Sequence, residues 1–345
     1  MSEHRERYVR LAPMDVDKET QLAVLASWFF SGINYRAVCG IIGKTAAEDR
    51  ICPMSGGDFM VFVEKVNALE EPQRYIYQIR HLLERMAVNN ILVDMVGAGQ
   101  GNVMMPKSYY RLSEVSNMRG LGVLWLAKTQ GGRFVHRQVS PAVVHIVGKD
   151  AKGDERGGSG IVFDARHVLT CRHVVAGMTV DPVQRFQGKD VTLDPEGVFE
   201  HEEVDVAVIR VRETLTPVAG LVFLSPAISQ TVYRFGYARV PCAIPLDTGE
   251  SPLTMQSGEV TNTSVRVFGG TELFLYSATA RPGDSGGPIV SDDGYVVGMS
   301  TELTDGRYDG EDVFSPHYAG IPSQVVANAV RELGLGVEIP YETFE

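Results

Sequence analysis

The spacing of hydrophobic side chains divides the chain into a helical first part and a strand-rich second part. In the first part, apolar residues recur every three or four positions, which is the period of an amphipathic helix. This pattern predicts four helices, over residues 19–30, 35–45, 57–69 and 74–89. The buried face predicted for the first helix consists of Leu22, Leu25, Trp28 and Phe29. Apolar runs at 91–94 and 109–112, with a Gly/Asn-rich segment at 97–102 between them, predict a β-hairpin.

The second part consists of short apolar segments separated by polar turns, a pattern typical of β-strands. The predicted strands include residues 141–148, 159–163, 167–170, 202–211 and 294–301. A turn at 319–323 leads into a predicted C-terminal helix. We therefore expect an α+β protein with a mainly helical N-terminal domain and an all-β C-terminal domain.

Residues 283–288 carry the clearest chemical signal, because they read Gly-Asp-Ser-Gly-Gly-Pro. The glycines allow a tight bend in which the backbone N–H groups of Gly283 and Ser285 point to one place. An acyl-transfer enzyme needs two such donors to stabilise a developing oxyanion. Ser285 is therefore the candidate nucleophile, and Gly283 and Ser285 form the candidate oxyanion hole.

Two upstream residues match the partners that a nucleophilic serine requires. A serine hydroxyl is weak alone and needs a base, which in turn needs an orienting carboxylate. His173 follows a predicted strand, and Asp205 stands at the start of another. The order His173, Asp205, Ser285 is that of chymotrypsin-type enzymes and differs from the orders in subtilisins and α/β-hydrolases.

Taken together, the motifs resemble those of the trypsin-like (chymotrypsin-fold) serine peptidases. They are Gly-Asp-Ser-Gly-Gly-Pro, Leu-Thr-x-x-His-Val at 169–174 and Asp-Val-Ala-Val at 205–208. The resemblance covers about residues 138–336 and is closest in pattern to HtrA-type and intracellular bacterial peptidases, here without a PDZ domain. It implies a double β-barrel with a C-terminal helix, and a serine endopeptidase that cleaves protein substrates through an acyl-enzyme. No metal or organic cofactor is implied.

The same resemblance implies where the side chain of the substrate binds. Thr279 is expected at the base of the S1 pocket, with Ser300, Thr301 and Glu302 on its wall. An uncharged threonine does not impose strong selection for Arg or Lys, but several acidic residues follow Glu302. We therefore expect a basic or small polar P1 residue.

Other reactive side chains show no site pattern. His167 is expected to be solvated and His201 to lie in a loop. The four cysteines have neither a pairing pattern nor a Cys-x-x-Cys metal motif: they are Cys39, Cys52, Cys171 and Cys242. The N-terminal segment lacks a signal-peptide pattern, and no apolar stretch there is long enough to span a bilayer. We expect a cytoplasmic protein without membrane contact.

We expect four segments: a winged-helix-like regulatory or adaptor domain at 1–130, a linker at 131–138, a peptidase domain at 138–336 and a tail at 337–345. The candidate recognition helix carries Arg74, Arg80 and Arg85 but also Glu84, which favours a protein partner over DNA. Two alternatives stay open. One is a catalytically silent trypsin-like scaffold, and the other is a winged-helix DNA-binding regulator.

Charge is distributed unevenly over the 345 residues, whose net charge is −11. Residues 1–135 contain 16 Lys/Arg and 14 Asp/Glu, and the remaining residues contain 16 and 29. An acidic catalytic half disfavours nucleic acid as its ligand and attracts basic substrates.

Asp284, the residue before Ser285, bears on how such an enzyme is activated. In secreted trypsin-like enzymes, a cut frees an N-terminal ammonium that pairs with the aspartate at this position. Asp284 is present here, but no such cut is apparent. We therefore expect low basal activity, with a protein partner of the first domain completing the oxyanion hole. By analogy, such a layout fits a prokaryotic antiviral defence or signalling system.

Overall fold

A computed structural model of the chain describes residues 13–95, 105–238, 252–266, 272–301 and 318–343. The chain divides into two units. The first extends to Ser116 and includes Lys128–Gln130, and the second contains Asn117–Ala127 and everything from Gly131 onward. Among the described residues, no helix combines the length and the apolar character needed to cross a bilayer.

Four helices and a small sheet form the first unit. The helices are α1 Val16–Phe29, α2 Tyr35–Ile42, α3 Gly56–Lys65 and α4 Ile76–Val88, with 3-10 turns at Gly32–Asn34 and Pro72–Tyr75. The strands are β1 Met54–Ser55, β2 Val93–Asp94 and β3 Ser108–Tyr110, in the sheet order β1-β3-β2. Val93 pairs with Tyr110 in antiparallel register, which confirms the predicted hairpin. Its predicted turn at 97–102 lies outside the described residues.

Aromatic rings form the core of the first unit. Phe29 contacts Phe30, Phe59 and Phe62, with ring centroids 4.8–5.4 Å apart. The prediction that Trp28 is buried is wrong, since it is 38% exposed and stacks on Phe62 at the surface. Leu22 and Phe29 are buried as predicted, and Leu25 is half-buried. Ala26 completes the buried face, because residues spaced by three and four share one side of a helix.

Residues 117–142 form a chain of short helical turns. They comprise 3-10 turns at Arg119–Leu121, Leu124–Leu126 and Ser140–Ala142, and helices α5 Ala127–Gln130 and α6 Gly132–Val139. The expected linker at 131–138 is thus helical. Phe134, Val135 and Val139 are buried, and their shared apolar face explains why the segment folds.

An antiparallel sheet of seven strands begins the all-β region. Its strands are β4 Val143–Lys149, β5 Glu155–Val162, β6 His167–Thr170, β7 Thr179–Val180, β8 Val183–Phe186, β9 Lys189–Glu200 and β10 Ala207–Val211. The order is β7-β4-β5-β6-β10-β9-β8. The last strand returns to β4, where the Gln184 side chain bonds both the N–H and the C=O of Val147. This contact curls the sheet into the first barrel.

A closed six-stranded barrel follows. Its strands are β11 Thr231–Gly236, β12 Thr254–Arg266, β13 Glu272–Tyr276, β14 Pro288–Ser291, β15 Val296–Thr301 and β16 Tyr318–Pro322. They close in the order β11-β12-β13-β16-β15-β14 around buried side chains such as Phe274 and Ile289. Helix α8, Ser323–Glu332, then completes the fold. The predicted barrels and C-terminal helix are confirmed.

Candidate active site

His173 and Asp205 form a hydrogen-bonded pair on the first barrel. His173 lies in α7, Arg172–Ala176, directly after β6, and Asp205 lies just before β10. The ring Nδ1 of His173 is 2.8 Å from Asp205 Oδ2, and the His173 backbone N–H donates to Oδ1 at 2.9 Å. Because a carboxylate only accepts, Nδ1 carries the proton and Nε2 keeps a lone pair.

A third donor holds the Asp205 carboxylate. The Thr301 hydroxyl donates to Oδ2 at 2.7 Å. Burial raises the pKa of Asp205, but the hydrogen bonds and charge of His173, together with Thr301, outweigh burial and leave this pKa below its usual value. Asp205 is therefore an ionised, oriented carboxylate at neutral pH.

Strand β15 brings the nucleophile loop to this pair. The Gly286 N–H donates to the Ser300 C=O at 2.8 Å, and the Ser300 N–H donates to the Gly287 C=O at 2.9 Å. Thr301, the next residue, is the one that bonds Asp205. The loop carrying Ser285 and the Asp205 carboxylate are thus hydrogen-bonded to adjacent residues of one strand.

Glycines are required by close contacts in this loop. Gly283 and Gly286 have φ of 98° and 87°, a left-handed region that other residues rarely adopt. A Cβ on Gly286 would lie 2.1 Å from the Ser159 carbonyl oxygen, and one on Gly287 would lie 2.0 Å from that of Phe235. Within the described part of the chain, the N–H groups of Gly283 and Ser285 have no protein acceptor.

Ser159, on β5 of the first barrel, holds the Ser285 loop through two hydrogen bonds. Its N–H donates to the Ser285 C=O at 2.8 Å, and its hydroxyl donates to the Gly283 C=O at 2.7 Å. Ser159 is fully buried. The sequence predicts only that Ser159 lies in a strand, because the neighbours of a serine in an apolar strand do not indicate which residues it will contact.

The partner of Asp284, which the sequence does not identify, is an arginine of strand β11. Arg234 Nη1 lies 2.5 Å from Asp284 Oδ1, and the Arg281 N–H donates to Oδ2 at 2.7 Å. Burial raises the pKa of the Asp284 carboxyl, and the charge of Arg234 opposes this shift. The Arg234 guanidinium and the Arg281 N–H both favour the ionised form of the carboxyl, against the effect of burial. The signal in the sequence was an arginine inside the apolar strand β11.

The residues expected to form the S1 pocket do not lie in one common environment. The side chain of Thr279 is exposed. The Ser300 hydroxyl bonds the Tyr276 hydroxyl at 2.9 Å inside the barrel, and Thr301 bonds Asp205. Glu302 lies outside the described residues. The structure therefore gives two of the expected wall residues other contacts.

Cys171 is the one thiol near the pair among the described cysteines. Its sulfur and the side-chain ligand atoms of His173 and Asp205 all lie within 4.8 Å of one another. The thiol donates to the Ser300 C=O at 3.3 Å, and burial raises its pKa well above the usual value. A thiol must lose its proton to bind a metal, so this group favours packing over metal binding.

The two other histidines considered from the sequence are both buried. The prediction that His167 is solvated is therefore wrong, whereas His201 lies in the loop between β9 and β10, as predicted. The ring Nδ1 of His167 lies 2.8 Å from Asp164 Oδ2. His201 Nε2 lies 2.9 Å from Glu332 Oε2, and its Nδ1 accepts from two backbone N–H groups. Hydrogen bonds thus hold both rings in place, although Nε2 of His167 is buried without a partner.

Comparison with known proteins agrees with this architecture. Residues 158–299 match the family model of the trypsin-like peptidase domain. The serine protease Do-like HtrA of Lactococcus lactis is 25% identical over 191 residues, which are 51% of this chain and 44% of that protein. This chain therefore spans less than half the length of that relative.

Solved structures of bacterial proteases are also similar. The active form of the Rv3671c protease from M. tuberculosis is 23% identical with a TM-score of 0.46, covering 59% of this chain and 86% of that one. The HtrA-type protease AlgW, solved with a tripeptide, is 16% identical with a TM-score of 0.44, covering 58% and 62%. Residues 158–299 of this chain, which include His173, Asp205 and Ser285 and lie in both barrels, therefore match a trypsin-like peptidase domain.

Proposed function

We propose that this chain is a serine endopeptidase in which His173, Asp205 and Ser285 act as a catalytic triad. The observation that carries the proposal is the double hydrogen bond from His173 to Asp205, formed beside the strand that holds the Ser285 loop. This arrangement fixes the imidazole tautomer that a general base needs.

The first half of the reaction forms an acyl-enzyme. Ser285 Oγ attacks the peptide carbonyl carbon while His173 Nε2 takes the hydroxyl proton. The negative charge that develops on the carbonyl oxygen is received by the N–H groups of Gly283 and Ser285. Imidazolium then gives its proton to the leaving amine as the C–N bond breaks.

The second half regenerates the enzyme. Water attacks the acyl carbon and gives a proton to His173, and the Ser285 oxygen leaves and recovers that proton. Asp205 stays ionised throughout and stabilises the imidazolium, consistent with its lowered pKa.

A fluorophosphonate probe and a peptide substrate test the proposal together. Ser285→Ala and His173→Ala are expected to abolish both labelling and turnover, whereas Asp205→Asn should keep about 10⁻⁴ of the turnover. His167→Asn is a matched control, because His167 forms an equally short pair with Asp164 away from the loop. Folded protein that never labels at Ser285 would support the silent-scaffold alternative.

For the substrate, we infer a basic or small polar P1 residue. Thr279 is exposed and uncharged, so this position does not require a charged partner. The negative charge of the C-terminal part favours cationic peptides in the approach to the site. Cleavage of a peptide library measures the preference, and a dominant acidic or large aromatic P1 would contradict it.

For the first unit, we propose recruitment of a protein partner, in a cytoplasmic prokaryotic defence or signalling system. The unit has its own aromatic core and yet exposes large apolar side chains: Ile33, Val88, Leu112 and Tyr77 are 58–96% exposed. We expect Ile33→Glu or Leu112→Glu to weaken the response of turnover to a candidate partner without changing turnover of the chain alone. Equal responses of all variants would contradict this role.

A further inference from the structure

We propose that His201 is a positioning residue for Asp205, because its neutral ring holds the turn that presents this carboxylate to His173. The inference rests on the serine endopeptidase activity proposed above and goes beyond it, since it assigns a role to a histidine outside the triad. It also predicts that peptide cleavage requires two uncharged histidines, and not His173 alone.

Residues 201–206 form the connection between strands β9 and β10, and Asp205 lies within it. The two strands pair in antiparallel register up to this connection. The His201 N–H then donates to the Val206 C=O at 3.0 Å and closes the base of the loop. The position of Asp205 therefore depends on how the few residues inside the loop are held.

The ring of His201 holds the two residues directly before Asp205. Its Nδ1 lies 3.2 Å from the backbone N of Glu203 and 3.0 Å from that of Val204. Asn and Asp side chains fix turns in the same way, by accepting from N–H groups a few residues further along the chain. His201 is only 8% exposed, so water does not readily replace its ring as the acceptor.

A second contact joins the same turn to the helix that carries the base. Arg172, the first residue of α7, donates from Nη1 to the C=O groups of His201 and Glu202, at 3.1 and 2.5 Å. The Asp205 carboxylate in turn accepts from the N–H and the ring of His173. Asp205 is thus held in line with His173 only while the backbone of the turn keeps this shape.

The contacts of the His201 ring define its protonation state. A backbone N–H only donates, so Nδ1 offers a lone pair and Nε2 carries the proton that it donates to Glu332 Oε2 at 2.9 Å. A second proton, on Nδ1, would face both backbone N–H groups and break both bonds. Glu332 would compensate only weakly for this loss, because its side chain is 66% exposed. The charged groups on the elements around the ring are Glu332 on α8, Arg172 on α7, and Glu202, Glu203 and Asp205 on its own loop.

Two substitutions in the full chain separate the acceptor from the bulk of the ring. His201→Phe keeps a ring but removes the acceptor, and kcat should fall at least about tenfold with KM changed less than about threefold, because a small displacement of an orienting group slows the chemical step. His201→Asn places an oxygen near the position of Nδ1, so its kcat at about pH 8 should stay within about threefold of normal. His167→Phe is a matched control, since it removes another buried histidine of the same unit and should leave turnover unchanged.

The pH profile gives a readout that a purely structural role would not change. Histidine side chains change charge between about pH 5 and pH 8. Because both His173 and His201 must be neutral, log(kcat/KM) of the unmodified chain should fall toward acid pH with a slope steeper than about 1, the limit for one ionisation. In His201→Asn the slope should not exceed that limit. Circular dichroism at each pH checks that the proteins remain folded.

Each result supports or overturns the assignment. Normal kcat in folded His201→Phe, or acid limbs of equal slope in the unmodified chain and His201→Asn, would overturn it. If His201→Phe does not fold, the two pH profiles decide. Absence of turnover and of fluorophosphonate labelling in the folded, unmodified chain would instead overturn the proposed peptidase activity, and this inference with it.

Discussion

Thr301 links the Asp205 carboxylate to the strand that holds the Ser285 loop. We expect Thr301→Val to lower kcat roughly tenfold with little change in KM, because a hydrogen bond to a charged group is lost where only the reaction, not substrate binding, needs it. Thr301→Ser keeps the hydroxyl and should stay within about twofold of normal. Steady-state kinetics on one peptide measures kcat and KM for the two variants. An increase in KM with unchanged kcat would place Thr301 in the substrate pocket instead.

Asp205 makes the stability of the folded protein depend on pH, and the direction of its pKa shift predicts whether stability rises or falls. Its pKa is lower in the folded protein than in the unfolded chain, so its ionised form favours folding. This contribution is fully present above the unfolded pKa of about 4 and is lost as the pH falls below it. The difference in Tm between the unmodified chain and Asp205→Asn should therefore shrink between about pH 5 and pH 3. A difference that stays constant would contradict the shift.

The sequence predicts some active-site residues and not others, for a physical reason. Ser285, His173 and Asp205 lie in motifs whose local spacing reflects their chemistry. Ser159 and Arg234 act through contacts with residues 124 and 50 positions away, and nothing next to them in the chain indicates those contacts. Arg234 was not predicted, although an arginine within a mainly apolar strand is unusual and could have drawn attention to it.

At the scale of elements, residues 117–127 belong with the peptidase unit. The Arg119 guanidinium lies 3.9 Å from the centre of the Tyr295 ring and donates to the Asp293 C=O. Leu124 and Leu126 are fully buried. The short helical turns of this segment are thus structural parts of the second unit.

A shortened chain that begins at Asn117 should therefore keep the Tm of the peptidase unit. One that begins at Val135 cuts helix α6 and removes the Arg119 contacts, and we expect its Tm to be lower by about 5 °C or more. Thermal unfolding of the two chains measures this difference. Equal values would mean that residues 117–134 do not stabilise the barrels.

The four long helices of the first unit and strands β4, β5, β6, β10 and β15 could be predicted, because their apolar positions recur regularly. The longest strands, β9 and β12, were not predicted, because most of their residues are exposed or half-buried and give no apolar run. The helix at 132–139 was missed, since two glycines at its start suggested a loop, whereas tertiary packing of Phe134 and Val135 overrides that local signal. The position of Trp28 was misjudged for a related reason. The spacing of apolar residues locates the buried face of a helix only to within one position. Large aromatic side chains also lie at the edge of a core, where they are partly exposed.

For the whole molecule, the uneven charge predicts a salt effect. Residues 136–345 contain 13 more acidic than basic residues. The kcat/KM for a cationic peptide should exceed that for a neutral analogue at about 10 mM salt, and the ratio should fall several-fold by about 300 mM, because salt screens long-range attraction. The same ratio at both salt concentrations would show that only local contacts matter.

The two hydrogen bonds from Ser159 to the Ser285 loop have a consequence for the protein while it is still being synthesised. During synthesis the first barrel leaves the ribosome ahead of the second, and chains generally fold from the N-terminus. Ser285 lies in the second barrel and His173 in the first, and the hydrogen bonds of Ser159 join the two barrels only after both have formed. Under the proposed mechanism, a partly synthesised chain therefore cannot cleave peptides, and activity begins only when the two barrels have come together.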